Sequence, residues 1–124
     1  MNNIVKVTID GAVACVTLNR PDKANALNLE MFDALGDTAA ELADNPALRA
    51  VVLHGAGANF CGGIDVDMFR SGETVVDAKS LQPVKPSPAN RFQLAAYAWR
   101  ALPVPVICAI NGVAYGGGLQ IALG

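Results

Sequence analysis

The chain has 124 residues and a formal net charge of −2, with 52% hydrophobic and 16% charged residues. That balance excludes a disordered chain, and the lack of any basic block argues against a nucleic-acid scaffold. The length suits one small domain that buries roughly two-thirds of its unfolded surface. In chain order, residues 4–9 (IVKVTI) and 12–18 (AVACVTL) are apolar and β-branched. They flank Asp10-Gly11, a pair suited to a two-residue hairpin turn. Asn19-Arg20-Pro21-Asp22-Lys23 follows as a polar loop. From Asn28, a residue able to cap, Leu29, Phe32, Leu35, Ala39 and Leu42 recur at helical spacing, and Glu30 and Asp33 favour the first turn. Asp44-Asn45-Pro46 ends that helix. Ala50 to His54 is a continuous apolar run suited to a strand buried on both faces. A glycine-rich segment, Gly55 to Gly63, leads into a short helix expected over Ile64 to Phe69.

Ser71 to Asn90 holds Pro83, Pro86 and Pro88 without periodicity and reads as a mobile surface excursion. Arg91 to Leu102 is helical in composition, and Pro103 and Pro105 stop it. Val106 to Ile110 reads as a further buried strand, Asn111 to Gly118 as a second glycine loop, and Leu119 to Leu123 as the start of another helix. The expected fold is therefore α/β, with two glycine turns at strand ends, where open sheets place ligands. That last helix stops after barely one turn, so the chain is expected to be the front part of a longer domain. The run Val104 to Leu123 is broken by Pro105, Asn111 and several glycines, so no membrane span is expected. Met1 to Lys6 lacks the order of a signal peptide. Cys15, Cys61 and Cys108 sit in apolar stretches and read as reduced thiols of a cytoplasmic protein.

Both nucleotide-binding fingerprints fail on the residues. No Gly-Lys pair exists for a phosphate loop, and Phe60 stands where a dinucleotide motif begun at Gly55 needs its last glycine. Two readings of the glycine turns remain. They either permit tight strand-to-helix connections, or they expose backbone N–H groups at Gly62-Gly63-Ile64-Asp65 and Gly116-Gly117-Gly118. Two such donors converging on one point would make an oxyanion hole.

Asn19-Arg20-Pro21…Asn25-Ala26-Leu27-Asn28, Gly55-Ala56-Gly57…Phe60-Cys61-Gly62-Gly63-Ile64-Asp65, and Pro105-Val106-Ile107…Ile110-Asn111-Gly112…Gly116-Gly117-Gly118 occur in that order. Together they closely resemble the crotonase superfamily, the enoyl-CoA hydratase/isomerase family. The resemblance covers residues 4–124 and about the amino-terminal half of a typical member. It implies a crotonase-like spiral of ββα units, truncated after the second oxyanion turn, within a single domain. It further implies that the N–H groups of Ile64 and Gly117 polarise a thioester carbonyl and hold the enolate, with Gly63 and Gly116 beside them. Lys23, Ala24 and Ala26 would line the coenzyme A path, and Asp65, Val66 and Asp67 the thioester pocket.

Gln120 stands where the family's hydratases carry a water-handling glutamate. An amide orients water but has no proton to exchange near neutral pH, so isomerisation or other CoA-ester chemistry is favoured over two-glutamate hydration. The resemblance implies an acyl-CoA thioester partner, no cofactor beyond the substrate's own coenzyme A, no metal, and a homotrimer or hexamer. The alternative is a non-catalytic acyl-CoA-binding protein or an inactive fragment. Several residues have plainer roles open to them. Asp65 could be a base or a helix cap. Asp67 and Glu73 suit solvated positions. His54 and Cys61 suit packing, and Trp99 and Tyr97 suit a core or acyl-pocket lining. Tyr115 could either flank the second donor or simply pack.

Overall fold

A computed structural model describes residues 3–70 and 76–124. Strands β1 (Val5–Asp10) and β2 (Val13–Leu18) pair antiparallel from Val5 opposite Leu18 to Asp10 opposite Val13. The turn residues are therefore Gly11 and Ala12, one position later than the sequence reading; Gly11 supplies the positive φ of 59°. After a 3₁₀ turn at Pro21–Lys23 comes α1 (Leu29–Ala43). Its start is fixed as expected, by Asn28 Oδ1 accepting the Met31 N–H at 2.9 Å. Strand β3 (Ala50–Gly55) adds in parallel to β2, and β4 (Val106–Ala109) in parallel to β3, giving the order β1-β2-β3-β4.

Strict alternation along β2 and β3 sends Ala14, Val16, Leu18, Val51 and Leu53 into one core with Met31, Phe32, Leu35, Ala39 and Leu42 of α1. Each large side chain fully buried there contributes roughly 1.5–3 kcal/mol. The opposite face of the sheet is open. Ala50, Val52 and His54 are only half-buried, and Ile107 and Ala109 of β4 are exposed. The expectation of strands buried on both faces is thus corrected: among the described residues, helices cover one face only. Strand β4 also stops at Ala109, leaving Ile110 outside it and 53% exposed.

Beyond the sheet the chain repeats one pattern. Strand β2 leads to a bridging residue, Leu27, and then α1; β3 leads to Cys61 and Ile64 and on to α2 and α3; β4 leads to Ala114 and α4. This is the expected spiral of ββα units. Helix α2 (Asp67–Arg70) begins three residues later than expected, because Ile64 is held extended opposite Leu27. Asp65 Oδ1 then accepts the Asp67 N–H at 2.9 Å.

Residues 71–75, including Glu73, lie outside the described residues; 76–90 make turns, with Asp77 and Ser80 bonding each other and Pro83 bridging Asn90. Helix α3 (Leu94–Arg100) is shorter than the expected 91–102 because Asn90 and Gln93 close a reciprocal cap around a turn first. Arg91 in that turn clasps Asp33 of α1 through two bonds of 2.6 Å. Helix α4 (Gly117–Leu123) starts within the triple glycine. Among the described residues no helix is long and apolar enough to cross a membrane.

Candidate active site

Past the ends of β3 and β4 the parallel pairing continues through the glycine turns. The N–H of Phe60 donates to Asn111 O at 2.6 Å, that of Cys61 to Val113 O at 3.1 Å, and that of Tyr115 to Cys61 O at 3.0 Å. On its other side the first turn meets the segment before α1. Gly62 N–H donates to Ala24 O, Leu27 N–H to Gly63 O, and Asp65 N–H to Leu27 O, at 2.8, 2.7 and 2.9 Å. Residues 61–65 therefore lie between two neighbouring segments, and successive N–H groups point to alternate sides. Leu27 takes the bonds either side of Ile64, so the Ile64 N–H faces the second turn.

Gly63 makes this possible. Its φ of +94° and the 3.0 Å that would separate an added Cβ from Tyr115 O both demand glycine. Gly117 arrives opposite, where an added Cβ would sit 4.0 Å from Ile64 Cγ1. Neither the Ile64 nor the Gly117 N–H donates a hydrogen bond among the described residues. Both residues line a cavity of about 620 Å³ between α3 and α4, together with Gln120, Leu27, Phe92 and Tyr97. The structure thus brings Ile64, Gly117 and Gln120 to one cavity. Another, of about 580 Å³ between α1 and α3, holds none of the three.

The remaining expected residues surround that cavity rather than line it. Lys23 is exposed on the 3₁₀ turn, while Ala24 and Ala26 lie on the segment beside the first turn. Gly63 and Gly116 stand directly before the two donors. Val66 and Asp67 are exposed at the start of α2, where Asp67 pairs with Arg70. Asp65 is buried, 2.6 Å from Arg20 Nη1. The Asp67 N–H holds its carboxyl below the ordinary 3.8, against the opposing effect of burial and with help from Arg20 and Lys23. An ionised carboxylate so engaged is a cap and anchor and a weak base.

His54 shares a 2.7 Å hydrogen bond with Thr17 across the open sheet face. Cys61 is buried, its Sγ–H donates to Asn25 O at 3.2 Å, and burial pushes its thiol up, so packing describes it. Trp99 belongs to the core with Nε1 donating to Ala95 O, whereas Tyr97 stands at the cavity. Exposed Tyr115 lends its carbonyl to the Gly118 N–H. Among the described residues no group of three or more His, Cys, Asp or Glu could hold a metal.

Sequence reasoning missed the role of Asn25. This wholly buried side chain sits at φ +54°, accepts the Arg20 N–H at 2.7 Å, and donates to Ala56 O and Asn59 O at 3.0 and 2.8 Å. Asn59 Oδ1 in turn accepts the Val113 N–H, and Asn111 Nδ2 donates to Gly57 O. The one available signal was an asparagine, tolerant of left-handed backbone, inside a polar loop.

A family described as enoyl-CoA hydratase/isomerase matches residues 8–124. Among curated relatives, the 1,2-epoxyphenylacetyl-CoA isomerase of Escherichia coli (strain K12) is 34% identical over 122 residues, covering 94% of this chain and 43% of the relative. The peroxisomal Delta(3,5)-Delta(2,4)-dienoyl-CoA isomerase of Arabidopsis thaliana is 31% identical, covering 95% and 44%. A solved enoyl-CoA hydratase/carnithine racemase from Magnetospirillum magneticum superposes with a TM-score of 0.81 at 34% identity, over 98% of this chain and 44% of that one. The chain spans less than half the length of these relatives.

Proposed function

The chain belongs to the enoyl-CoA hydratase/isomerase family, and from that premise we propose that it contributes the oxyanion-stabilising part of an acyl-CoA-processing site. The observation that carries this reading is the pair of undonated N–H groups, Ile64 and Gly117, meeting at one cavity. A thioester carbonyl between them would gain two hydrogen bonds that strengthen as negative charge builds on its oxygen in the enolate. Such a donor needs no side-chain chemistry, only the backbone path that Gly63 and the paired turns impose. Lys23, Ala24 and Ala26 would lie along the coenzyme A portion, with Lys23 offering a local cation to its phosphates. No cofactor beyond the substrate's coenzyme A is invoked. The same family membership supports a homotrimer or hexamer.

Gln120 faces the cavity one helical turn after Gly117. As an amide it positions the carbonyl or a water without taking a proton. This favours isomerisation or related CoA-ester chemistry over hydration by two glutamates. The same residue favours, as a second reading, acyl-CoA binding without turnover; saturable binding with no conversion of enoyl- or dienoyl-CoA would establish it.

The test compares two substitutions at Gly117, the first residue of α4. Proline is tolerated at such a position and deletes the N–H, whereas alanine keeps it; both place a Cβ near the flexible end of Leu27. With folding checked by circular dichroism, Gly117→Pro is expected to lower kcat/KM about 100-fold more than Gly117→Ala. Equal losses would remove the amide from the mechanism.

A further inference from the structure

We propose that this cavity selects an acyl group bearing a carboxylate distal to the thioester, with Arg100 as the residue that holds it; the inference rests on the acyl-CoA reading above. Three residues at helical spacing, Gln93 at the N-cap of α3 and Tyr97 and Arg100 within it, line one wall of the cavity. Gln93 uses its Oε1 to accept the Asn90 N–H, leaving Nε2 as a donor. The Tyr97 hydroxyl and the Arg100 guanidinium have no partner among the described residues. No aspartate or glutamate is among the described residues that line the cavity. The wall is therefore rich in donors and cationic, and no carboxylate among the described residues that line it balances it.

Charge decides what such a wall accepts. A plain hydrocarbon chain laid along it would strip water from the guanidinium without pairing it, which is unfavourable. A carboxylate pairs with the planar guanidinium through two parallel hydrogen bonds. A cationic acyl group would meet a like charge. Position agrees with this. Gly117 opens α4, whose seven residues rise on the order of 9 Å, and Ile64 lines the same cavity. At its far end Gly124 packs on Ala96, where an added Cβ would lie 2.6 Å from the carbonyl oxygen. Arg100 is one turn further along α3. Arg100 lines the same cavity as both amides, so a thioester held between them and a carboxylate on Arg100 would share one space.

The experiment measures, on the intact protein, the dissociation constants of octanedioyl-CoA and octanoyl-CoA, which differ only at the end of the chain. The dicarboxylic ester is expected to bind at least about tenfold tighter at low salt. Arg100→Gln should collapse that ratio towards unity, Arg100→Lys should retain part of it, and Arg100→Glu should invert it. No preference in the unsubstituted protein, or a preference that survives Arg100→Gln, overturns the inference while leaving the acyl-CoA reading standing. Failure of both esters to bind overturns that reading as well.

Discussion

The two glycine turns leave neighbouring parallel strands in the same direction, yet they are held in different ways. The first, residues 55–65, is fastened by side chains from a distant loop: Asn25 grips Ala56 and Asn59, and Arg20 grips Asp65. The second, residues 111–118, is held largely by the first. Its anchors are the main chain of Phe60 and Cys61, the Asn59 carboxamide, and the surface of Cys61 on which Gly118 rests. The order of dependence runs from residues 20–27 to the first turn and then to the second. Position at Gly117 is thus inherited from contacts that Gly117 does not make.

The strongest way to break this hierarchy is at its root. Asn25→Ala would leave Arg20 N–H, Ala56 O and Asn59 O without their partner in a buried place. The expected cost is about 3–5 kcal/mol in urea unfolding, with both turns losing amide-exchange protection together. Protection lost in the first turn alone would refute the dependence.

Asp65→Asn tests the second fastening and should cost about 1.5–3 kcal/mol at neutral pH, since it removes a charge-assisted pair with Arg20. The sign of its pH dependence follows from the depressed carboxyl. The stabilisation is complete above the ordinary 3.8 and disappears as pH falls through the lower folded value. The unsubstituted and Asp65→Asn proteins should therefore begin to converge in stability as pH falls past 3.8, and meet below the lowered folded value. A gap that persists in acid would assign the effect to packing.

The smallest expected effect, about 1–3 kcal/mol, is that of Gly118→Ala, whose added Cβ would lie 2.6 Å from Cys61 O. It should loosen the second turn in amide exchange and leave the first protected. Loosening of both would show that support runs in both directions.

What the sequence made legible follows from the range of each signal. The capped start of α1 and the periodic face Phe32-Leu35-Ala39-Leu42 are local, and both stand in the structure. The hairpin was legible too, but its turn shifted by a residue because the pairing of Asp10 with Val13, and not the Asp-Gly pair, sets where it closes. Apolar runs at β3 and β4 reported strands correctly and burial incorrectly, since composition cannot say how many faces of a sheet are covered. Ile64 was expected inside a helix because its extended state depends on Leu27, far away in the chain. The same distance hid the Asn25 clasp, whose partners lie 31 and 34 residues on. At the site, the glycine-rich patterns located both turns, while the polar wall of α3 showed only once that helix was folded against α4.

The proposed oxyanion role would rest on main-chain atoms, and that changes how the gene tolerates error. Nearly every codon supplies an N–H, so drift at Ile64 leaves the donor intact, and of the ordinary substitutions only proline erases it. Vulnerability moves instead to Gly63, Gly112 and Gly118, where any added side chain meets backbone from the opposing turn. Selection on this site is therefore expected to concentrate on three positions that have no side chain to select.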